Sequence, residues 1–346
     1  MNTLSTRGQA PVVTLSQAIA AGLAPDGGLY MPDSWPALSV EDFAGARSLP
    51  EVALRLLQPF FADEVIAPAL PAICADALAI EPPLVGFGAP HDYLLELFHG
   101  PTAAFKDYAA GFLAGCLSAL PQGEKPLTIV VATSGDTGAA VAAAFHKRPG
   151  FRVAILYPDG RVSPRQAHQL GCFGDNVRAF NVDGSFDDCQ ALAKTLLTDA
   201  AFRAQVPLGS ANSISLGRLL PQAAYYAHAA LGHLRATGNV LNFVIPTGNL
   251  GNALACLLAQ RMGLPIGQLV LASNANTVLP DFFAGGNYHP KPSLATLANA
   301  MDVGAPSNFE RLQYLYPDAE TLRHTLRAEA VSDAQIRAAI VRTRDE

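Results

Sequence analysis

Charged residues are scarce in this chain, and their scarcity excludes several classes of protein. Of 346 residues only 15% are charged, and 29 acidic against 23 basic side chains leave a formal net charge of −6. A nucleic-acid-binding protein normally presents a basic face, which this composition does not supply. With 50% hydrophobic residues the chain is also too apolar to be disordered. The composition predicts a globular protein of one extended or two ordinary domains.

Long apolar runs, a leader sequence and paired cysteines are missing as well. No run of 18 apolar residues occurs, which argues against a membrane-spanning helix, and the polar amino terminus does not resemble a signal peptide. The five cysteines are scattered without a C-x-x-C pair, and the eight histidines lack metal-ligand spacing. We therefore expect neither disulfides nor a metal site. These absences predict a soluble, cytoplasmic protein, and its size favours an enzyme.

What is present is an alternation of strands and helices that follows a helical start. Apolar residues recur at helical spacing between residues 50 and 79, and Pro82 and Pro83 end that pattern. Further along we predict strands at 127–132, 152–157, 177–182, 240–245 and 268–272, and helices at 139–147, 164–170, 186–197 and 253–261. This alternation indicates βαβ units around mostly parallel sheet, which binds ligands at the carboxyl ends of its strands. Residues 307–346 are expected to be helical, with no closing strand.

Lys106 is the first candidate for chemistry. We predict a helix from about residue 99 to 120 with Pro101 and Thr102 in its first turn, and no carboxylate lies one turn from Lys106 on that helix. An ammonium among apolar neighbours is disfavoured, so the pKa of Lys106 should fall and leave a neutral amine for a Schiff base or general base. The alternative is a lysine at the core edge, with a buried stem and a hydrated ammonium.

Two glycine-containing loops follow predicted strands. The segment TGNLGN at 247–252 could present the free amides of a helix start to a phosphate, although it is neither a Walker loop nor a G-x-G-x-x-G motif. The segment TSGDTG at 133–138 could receive a carboxylate or phosphate, provided that Asp136 faces away or accepts a hydrogen bond from the ligand. Each loop could equally be an ordinary capped helix start. Together with an activatable lysine, however, they suit pyridoxal phosphate and an amino-acid substrate.

Several segments carry a resemblance that makes this specific. In order along the chain they are STRG at 5–8, GLAPDGGLY at 22–30, HGPT and FKD between 99 and 107, ATSGDTG at 132–138, NSI through GR at 212–218, PTGNLGN at 246–252 and MDVGAPSN at 301–308. These segments resemble the threonine synthase family, fold-type II pyridoxal-phosphate enzymes, in its longer microbial branch. The FKD and MDVGAPSN segments are the most specific of them.

The resemblance implies an α/β fold of two lobes with mostly parallel sheets. Residues 1–85 would be an N-terminal helical segment. Residues 86–205 would form a smaller lobe that carries Lys106 and the SGDTG loop. Residues 206–346 would form a larger lobe that carries the TGNLGN loop.

The resemblance also implies a role for each candidate residue. Lys106 would form the Schiff base with pyridoxal phosphate. The cofactor phosphate would be held by Gly248, Asn249, Leu250, Gly251 and Asn252. The substrate α-carboxylate or the ring oxygen of the cofactor would be contacted by Thr133, Ser134, Gly135, Asp136 and Thr137. Asn212 and Arg218 would bind the phosphate of O-phosphohomoserine, for which a guanidinium fork is suited. The implied reaction is γ-elimination of phosphate and β-addition of water, which yields L-threonine.

One departure from the family concerns the carboxyl end. Members of the longer branch continue past this point with a D-P-H-(Ser/Thr)-A segment that is absent here, so we expect a chain that is short at this end, without a candidate partner for the pyridine nitrogen. Two alternatives stay open: a related phospho-amino-acid lyase, and a catalytically incomplete form that only binds the cofactor. The expected partner is a small-molecule substrate, and the oligomeric state is left between monomer and dimer.

Overall fold

The computed structural model describes residues 1–121, 123–133 and 135–345. Its first part joins a small antiparallel sheet to three helices. Strand β1 (Asn2–Ser5) pairs with β2 (Val13–Thr14) and with β3 (Tyr30–Pro32). The helices are α1 (Leu15–Ala21), α2 (Leu49–Phe61) and α3 (Leu70–Ala77). The sequence predicts helices after residue 50 but not this sheet, because strands of two to four residues are too short to show an alternating pattern.

A short hairpin leads into the helix that carries Lys106. The hairpin pairs β4 (Leu84–Gly86) with β5 (Tyr93–Leu95), and the helix is α4 (Lys106–Ala119). The expected start near residue 99 is wrong, because the Asp107 carboxylate accepts hydrogen bonds from the Thr102 amide (2.9 Å) and hydroxyl (2.6 Å) and holds the preceding residues in a turn. Lys106 is therefore the first residue of its helix.

A four-stranded parallel sheet follows, in the order β8-β7-β6-β9. Its strands are β6 (Leu127–Ala132), β7 (Phe151–Pro158), β8 (Val177–Val182) and β9 (Leu208–Ser210). The helices between them are α5 (Asp136–Phe145), α6 (Pro164–Gly171), α7 (Phe186–Thr198) and α8 (Ala200–Gln205). Because β9 pairs with β6, this sheet continues past residue 205.

A three-stranded parallel sheet completes the fold, in the order β10-β11-β12. Its strands are β10 (Leu241–Pro246), β11 (Ile266–Ser273) and β12 (Arg327–Ala330). The accompanying helices are α9 (Leu216–Leu219), α10 (Gln222–Thr237), α11 (Gly251–Arg261), α12 (Val278–Phe283), α13 (Phe309–Leu315), α14 (Ala319–Thr325) and α15 (Asp333–Asp345). Strand β12 corrects the expectation of an all-helical end. Its sequence, RAEA, lacks β-branched residues, so only the pairing with β11 makes it a strand.

The parallel sheets confirm the predicted α/β fold and position the site. Helices α4, α10 and α11 are buried along most of their length within the main core. The carboxyl ends of β6 and β10 open into the two glycine loops, which lead directly into α5 and α11. No helix in the described part of the chain is long and apolar enough to cross a membrane.

A buried carboxylate secures the N-terminal segment. Glu64 is 6% exposed, and its oxygens accept hydrogen bonds from the amides of Leu15 (3.1 Å) and Ser16 (2.9 Å) at the start of α1. Burial alone would raise the pKa of Glu64, but hydrogen bonds with Ser16 and the N-terminal ammonium of Met1 outweigh it, and the pKa is lowered from 4.5. A lowered folded pKa means a stabilising contribution that is complete above the unfolded value and is lost as the pH falls through the folded one.

We predict that Glu64→Gln destabilises the chain by about 1–3 kcal/mol near neutral pH, because a charged acceptor of two amides is lost. The difference in the free energy of unfolding between parent and variant should shrink as the pH falls through the pKa of Glu64 in the folded chain, since the parent carboxyl then becomes protonated. Denaturant unfolding at a series of pH values measures both effects. The control is Asp63→Asn at the exposed neighbouring position, expected within about 0.5 kcal/mol of the parent. A difference that is independent of pH would contradict this role.

Candidate active site

A pocket opens where the loops after β6, β9 and β10 meet the first turn of α4. Its empty volume, including the open mouth, is ≈ 810 Å³, which suits a small-molecule ligand. Most of the expected site residues line it: Lys106, Thr133, Thr137, Asn212, Arg218, Gly248, Asn249, Leu250, Gly251 and Asn252. Gly135 and Asp136 belong to the same loop as Thr133, and Ser134 lies outside the described residues. Helix α7, to which the sequence assigned no role, contributes Phe186 and Gln190.

The amine of Lys106 lies in this pocket with a carboxylate partner. Its Nζ atom is 3.4 Å from Oδ2 of Asp136, and only 12% of its side chain is exposed. Burial lowers the pKa of Lys106, Asp136 opposes that shift, and the nearby Arg218 adds to it. The partner belongs to α5, thirty residues further on, so neighbours on α4 could not reveal it. A buried amine with a lowered pKa is suited to act as a nucleophile or a base.

Asp136 is the first residue of α5, and it faces the lysine. Its Oδ1 atom accepts a hydrogen bond from Nε2 of Gln166 at 2.8 Å, which leaves Oδ2 for Lys106. The preceding Gly135 has φ +138°, and a Cβ atom there would lie 2.6 Å from the Gln166 side chain. Both carboxylate oxygens of Asp136 are thus used, one by the lysine amine and one by an amide donor. Asp136 therefore faces Lys106 and Gln166, as the presence of an anion in the loop requires.

Thr133 shapes the loop that it begins. Its buried hydroxyl oxygen accepts hydrogen bonds from the amides of Gly135 and Gly138, both at 2.9 Å. The oxygen is used as an acceptor, while its proton is still available for donation to a ligand. Thr137, in the first turn of α5, lines the pocket directly. The loop can therefore offer hydroxyl and amide donors to one anionic group.

The TGNLGN loop holds its own shape through its side chains. The Asn252 side chain accepts from the Thr247 hydroxyl at 2.7 Å and donates to the Pro246 carbonyl at 2.9 Å. The Asn249 side chain donates to Ser213 Oγ at 2.6 Å. The donors left for a ligand are the backbone amides at the start of α11, which have no acceptor within their own helix. The geometry thus offers a phosphate site made of amides at a helix N-terminus.

A buried arginine that the sequence did not predict as a site residue supports this loop. Arg311 is 0% exposed and donates to Asn308 Oδ1 (2.6 Å), to the Tyr30 carbonyl (2.9 Å) and to the Ile214 carbonyl (2.6 Å). Asn308 in turn donates to the Asn249 carbonyl at 2.9 Å. Burial lowers the pKa of Arg311 to about 9. The available signal was the MDVGAPSN segment, which ends at Asn308, one helical turn before this arginine.

Arg218 differs from Arg311 because part of its guanidinium has no hydrogen-bond partner in the described structure. It is 1% exposed and donates to the Ala211 carbonyl at 2.6 Å, but its Nε atom has no hydrogen-bond partner in the described structure. Burial lowers its pKa to about 10, and no described carboxylate forms an ion pair with it. Asn212 Oδ1 and Ser215 Oγ, on the same loop, are also buried without partners. A buried cation with unused donors indicates an anionic ligand.

These features fit pyridoxal phosphate. The pocket combines a buried lysine amine with a separate phosphate cradle of helix amides, and that cradle requires Gly248. A Cβ atom at Gly248 would lie 2.8 Å from the Met301 carbonyl oxygen and 3.0 Å from Met301 Cα. Arg218 then offers a further anion-binding group in the same pocket, near enough to Lys106 to lower the pKa of its amine.

Comparison with known protein families agrees with this arrangement. The family "Pyridoxal-phosphate dependent enzyme" matches residues 88–346, and "Threonine synthase N terminus" matches residues 3–78. The threonine synthase of Escherichia coli is 40% identical over 306 residues, which is 88% of this chain and 71% of that protein. The threonine synthase of Haemophilus influenzae is 39% identical over 316 residues, with 91% and 74% covered.

Solved structures give the same result in three dimensions. The threonine synthase of Escherichia coli superimposes with a TM-score of 0.91 at 36% identity, covering 100% of this chain and 81% of that one. The pyridoxal-phosphate-bound threonine synthase of Brucella melitensis gives a TM-score of 0.85 at 38% identity, covering 96% and 78%. These matches confirm the predicted fold type. The chain belongs to the threonine synthase family of pyridoxal-phosphate-dependent enzymes.

Proposed function

We propose that this chain converts O-phospho-L-homoserine and water to L-threonine and phosphate. The observation that carries the proposal is Arg218, a buried guanidinium without an anionic partner, in the same pocket as a buried lysine and an amide cradle. Two separate anion sites suit a phosphorylated substrate beside a phosphorylated cofactor. We further propose a cytoplasmic location, because all five cysteines are free thiols.

Lys106 and the TGNLGN loop hold the cofactor in this proposal. The lysine amine would hold the cofactor covalently, and the amides that begin α11 would hold its phosphate. When bound, pyridoxal phosphate supplies an electron sink that stabilises negative charge at the α- and β-carbons of an amino-acid substrate. Released from the link, the Lys106 amine carries protons to and from one face of the substrate, with Asp136 beside Nζ to stabilise the protonated form.

The remaining donors bind the substrate at its two ends. The Thr133 hydroxyl and the amides of Asp136 and Thr137, which follow Gly135, would receive the α-carboxylate, with the neighbouring Ser134 proposed for the same role. Arg218 and Asn212 would bind the phosphate, where the Asn212 amide donates once its two ends are exchanged. As the phosphate departs from the γ-carbon, charge develops on its oxygens, and the guanidinium stabilises it there.

The decisive experiment mixes the purified chain with pyridoxal phosphate and O-phospho-L-homoserine and measures the products. Threonine and inorganic phosphate in equal amounts support the proposal. Ammonia and a keto acid would assign the chain to a related lyase instead, and cofactor binding without products would indicate a chain that only binds.

We predict that Lys106→Ala abolishes the visible absorption of the cofactor-loaded chain and all turnover, because the only amine in the pocket among the described residues is removed. Absorption spectra after gel filtration, together with a threonine assay, measure both effects. The control is Lys194→Ala on the exposed face of α7, which should leave spectrum and turnover unchanged. Retention of the bound spectrum by Lys106→Ala would show that another lysine carries the cofactor.

We predict that Gly248→Ala weakens cofactor binding at least tenfold, because the added methyl group collides with the Met301 backbone and displaces the cradle. Titration of the cofactor-free chain by fluorescence measures the affinity. The control is Gly232→Ala in α10, where a Cβ atom meets nothing within 4 Å and where alanine should add about 0.5–1 kcal/mol of stability. Equal affinities in the two variants would exclude a tight cradle.

We predict that Arg218→Met raises the KM for O-phospho-L-homoserine about 10- to 100-fold, as expected for a lost charged hydrogen bond of about 1.5–3 kcal/mol. Its thermal midpoint should not fall, because an unpaired buried charge is removed together with the side chain. Arg311→Met is the matched comparison and should lower the midpoint, since three acceptors lose their donor. An unchanged KM in Arg218→Met would place the substrate phosphate elsewhere.

A further inference from the structure

Gln166 connects the carboxylate beside the lysine to the segment that covers the phosphate cradle. Its Nε2 atom donates to Asp136 Oδ1 at 2.8 Å, and its Oε1 atom accepts from Asn299 Nδ2 at 2.7 Å. Asn299 directly precedes Ala300 and Met301, which line the pocket, and the Met301 backbone lies against Gly248.

Two local features hold Gln166 in this orientation. Its Oε1 atom also accepts from the Ser163 amide at 3.0 Å, in the capping box that begins α6, so its side chain is fixed by the helix start. Gly135 leaves room for it, since a Cβ atom there would lie 2.6 Å from the carboxamide. Both ends of the carboxamide are therefore used, and exchanging them would place a donor against a donor.

We propose that Gln166 is a positioning residue for Lys106, which directs Oδ2 of Asp136 at the lysine amine and ties that orientation to the segment over the cradle. The proposal rests on the proposed role of Lys106 as the cofactor lysine. The charged groups that act on this amine are Asp136 from α5, Arg218 from α9 and Asp107 from α4. The carboxylates favour the ammonium and the guanidinium disfavours it. An Asp136 side chain released from Gln166 would rotate away, and the amine would lose its closest stabilising charge.

Competitive labelling of the Lys106 amine across a pH series tests this in the cofactor-free full chain, with mass spectrometry of the labelled peptide as readout. Gln166→Leu should move the labelling midpoint to lower pH by about one unit. Asn299→Ala, three hydrogen bonds away from the amine, should move the midpoint in the same direction by less. The matched control is Gln169→Leu, the same substitution one turn further along α6 and outside the pocket lining, which should leave the midpoint unchanged.

The double variant separates positioning from a general structural effect. Asp136→Asn should lower the midpoint itself, and adding Gln166→Leu to it should cause no further shift, because Gln166 acts only through the carboxylate. Additive shifts, or an unchanged midpoint in both Gln166→Leu and Asn299→Ala, would overturn the proposal. Circular dichroism verifies that each variant is folded. If Gln166→Leu does not fold, the labelling midpoint of Asn299→Ala alone tests the proposal. A parent chain that yields no threonine refutes the proposed function, whereas the labelling midpoints still report on Gln166.

Discussion

Lys106 and Arg218 are buried in one pocket, so two positive charges need compensation by nearby negative charge. Each cation is removed from water, and the charge of Arg218 further lowers the pKa of Lys106. The Asp136 carboxylate offsets the positive charge of Lys106. Asp107 interacts with both cations, but it is itself buried and already accepts hydrogen bonds from Thr102. The starts of α5 and α11 add partial positive charge at the same place. An excess of positive charge of this kind favours anionic ligands, in agreement with the two proposed anion sites.

The support for these sites extends far along the chain. The amide cradle depends on Asn249, which is held by Asn308, which is held by Arg311. Arg311 also bonds to the Tyr30 carbonyl at the start of β3, so the N-terminal sheet helps to hold the loop that begins α11. This connection gives the small antiparallel sheet, which contributes no residue to the pocket lining, a role in the geometry of the site.

Local patterns were sufficient for much of the fold and for most of the site residues. Strand β6 occurs at the predicted position because its run of buried β-branched residues fits a parallel sheet. Strand β8 also occurs at the predicted position, although Val177 is its only buried residue. The two loops were found because each lies between a predicted strand and a predicted helix, where a parallel sheet binds its ligands. In contrast, three features depend on contacts between residues distant in sequence: the pairing of Asp136 with Lys106, the role of Arg311 and the role of Gln166. Strand β12 depends on its pairing with β11. The late start of α4 was missed because a side-chain hydrogen bond from Thr102 to Asp107 competes with helix formation.

The two proposed anion sites differ in chemistry in a way that matches the different tasks proposed for them. A cradle of backbone amides is nearly neutral, so it costs little when empty and holds a permanent ligand by geometry. A buried guanidinium is costly when empty, because its charge is neither hydrated nor paired. In the proposed reaction, binding of the substrate phosphate would relieve that cost, and the relief would grow as the oxygens gain negative charge during departure. The proposed assignment therefore places the arginine where a phosphate leaves and the amides where a phosphate stays.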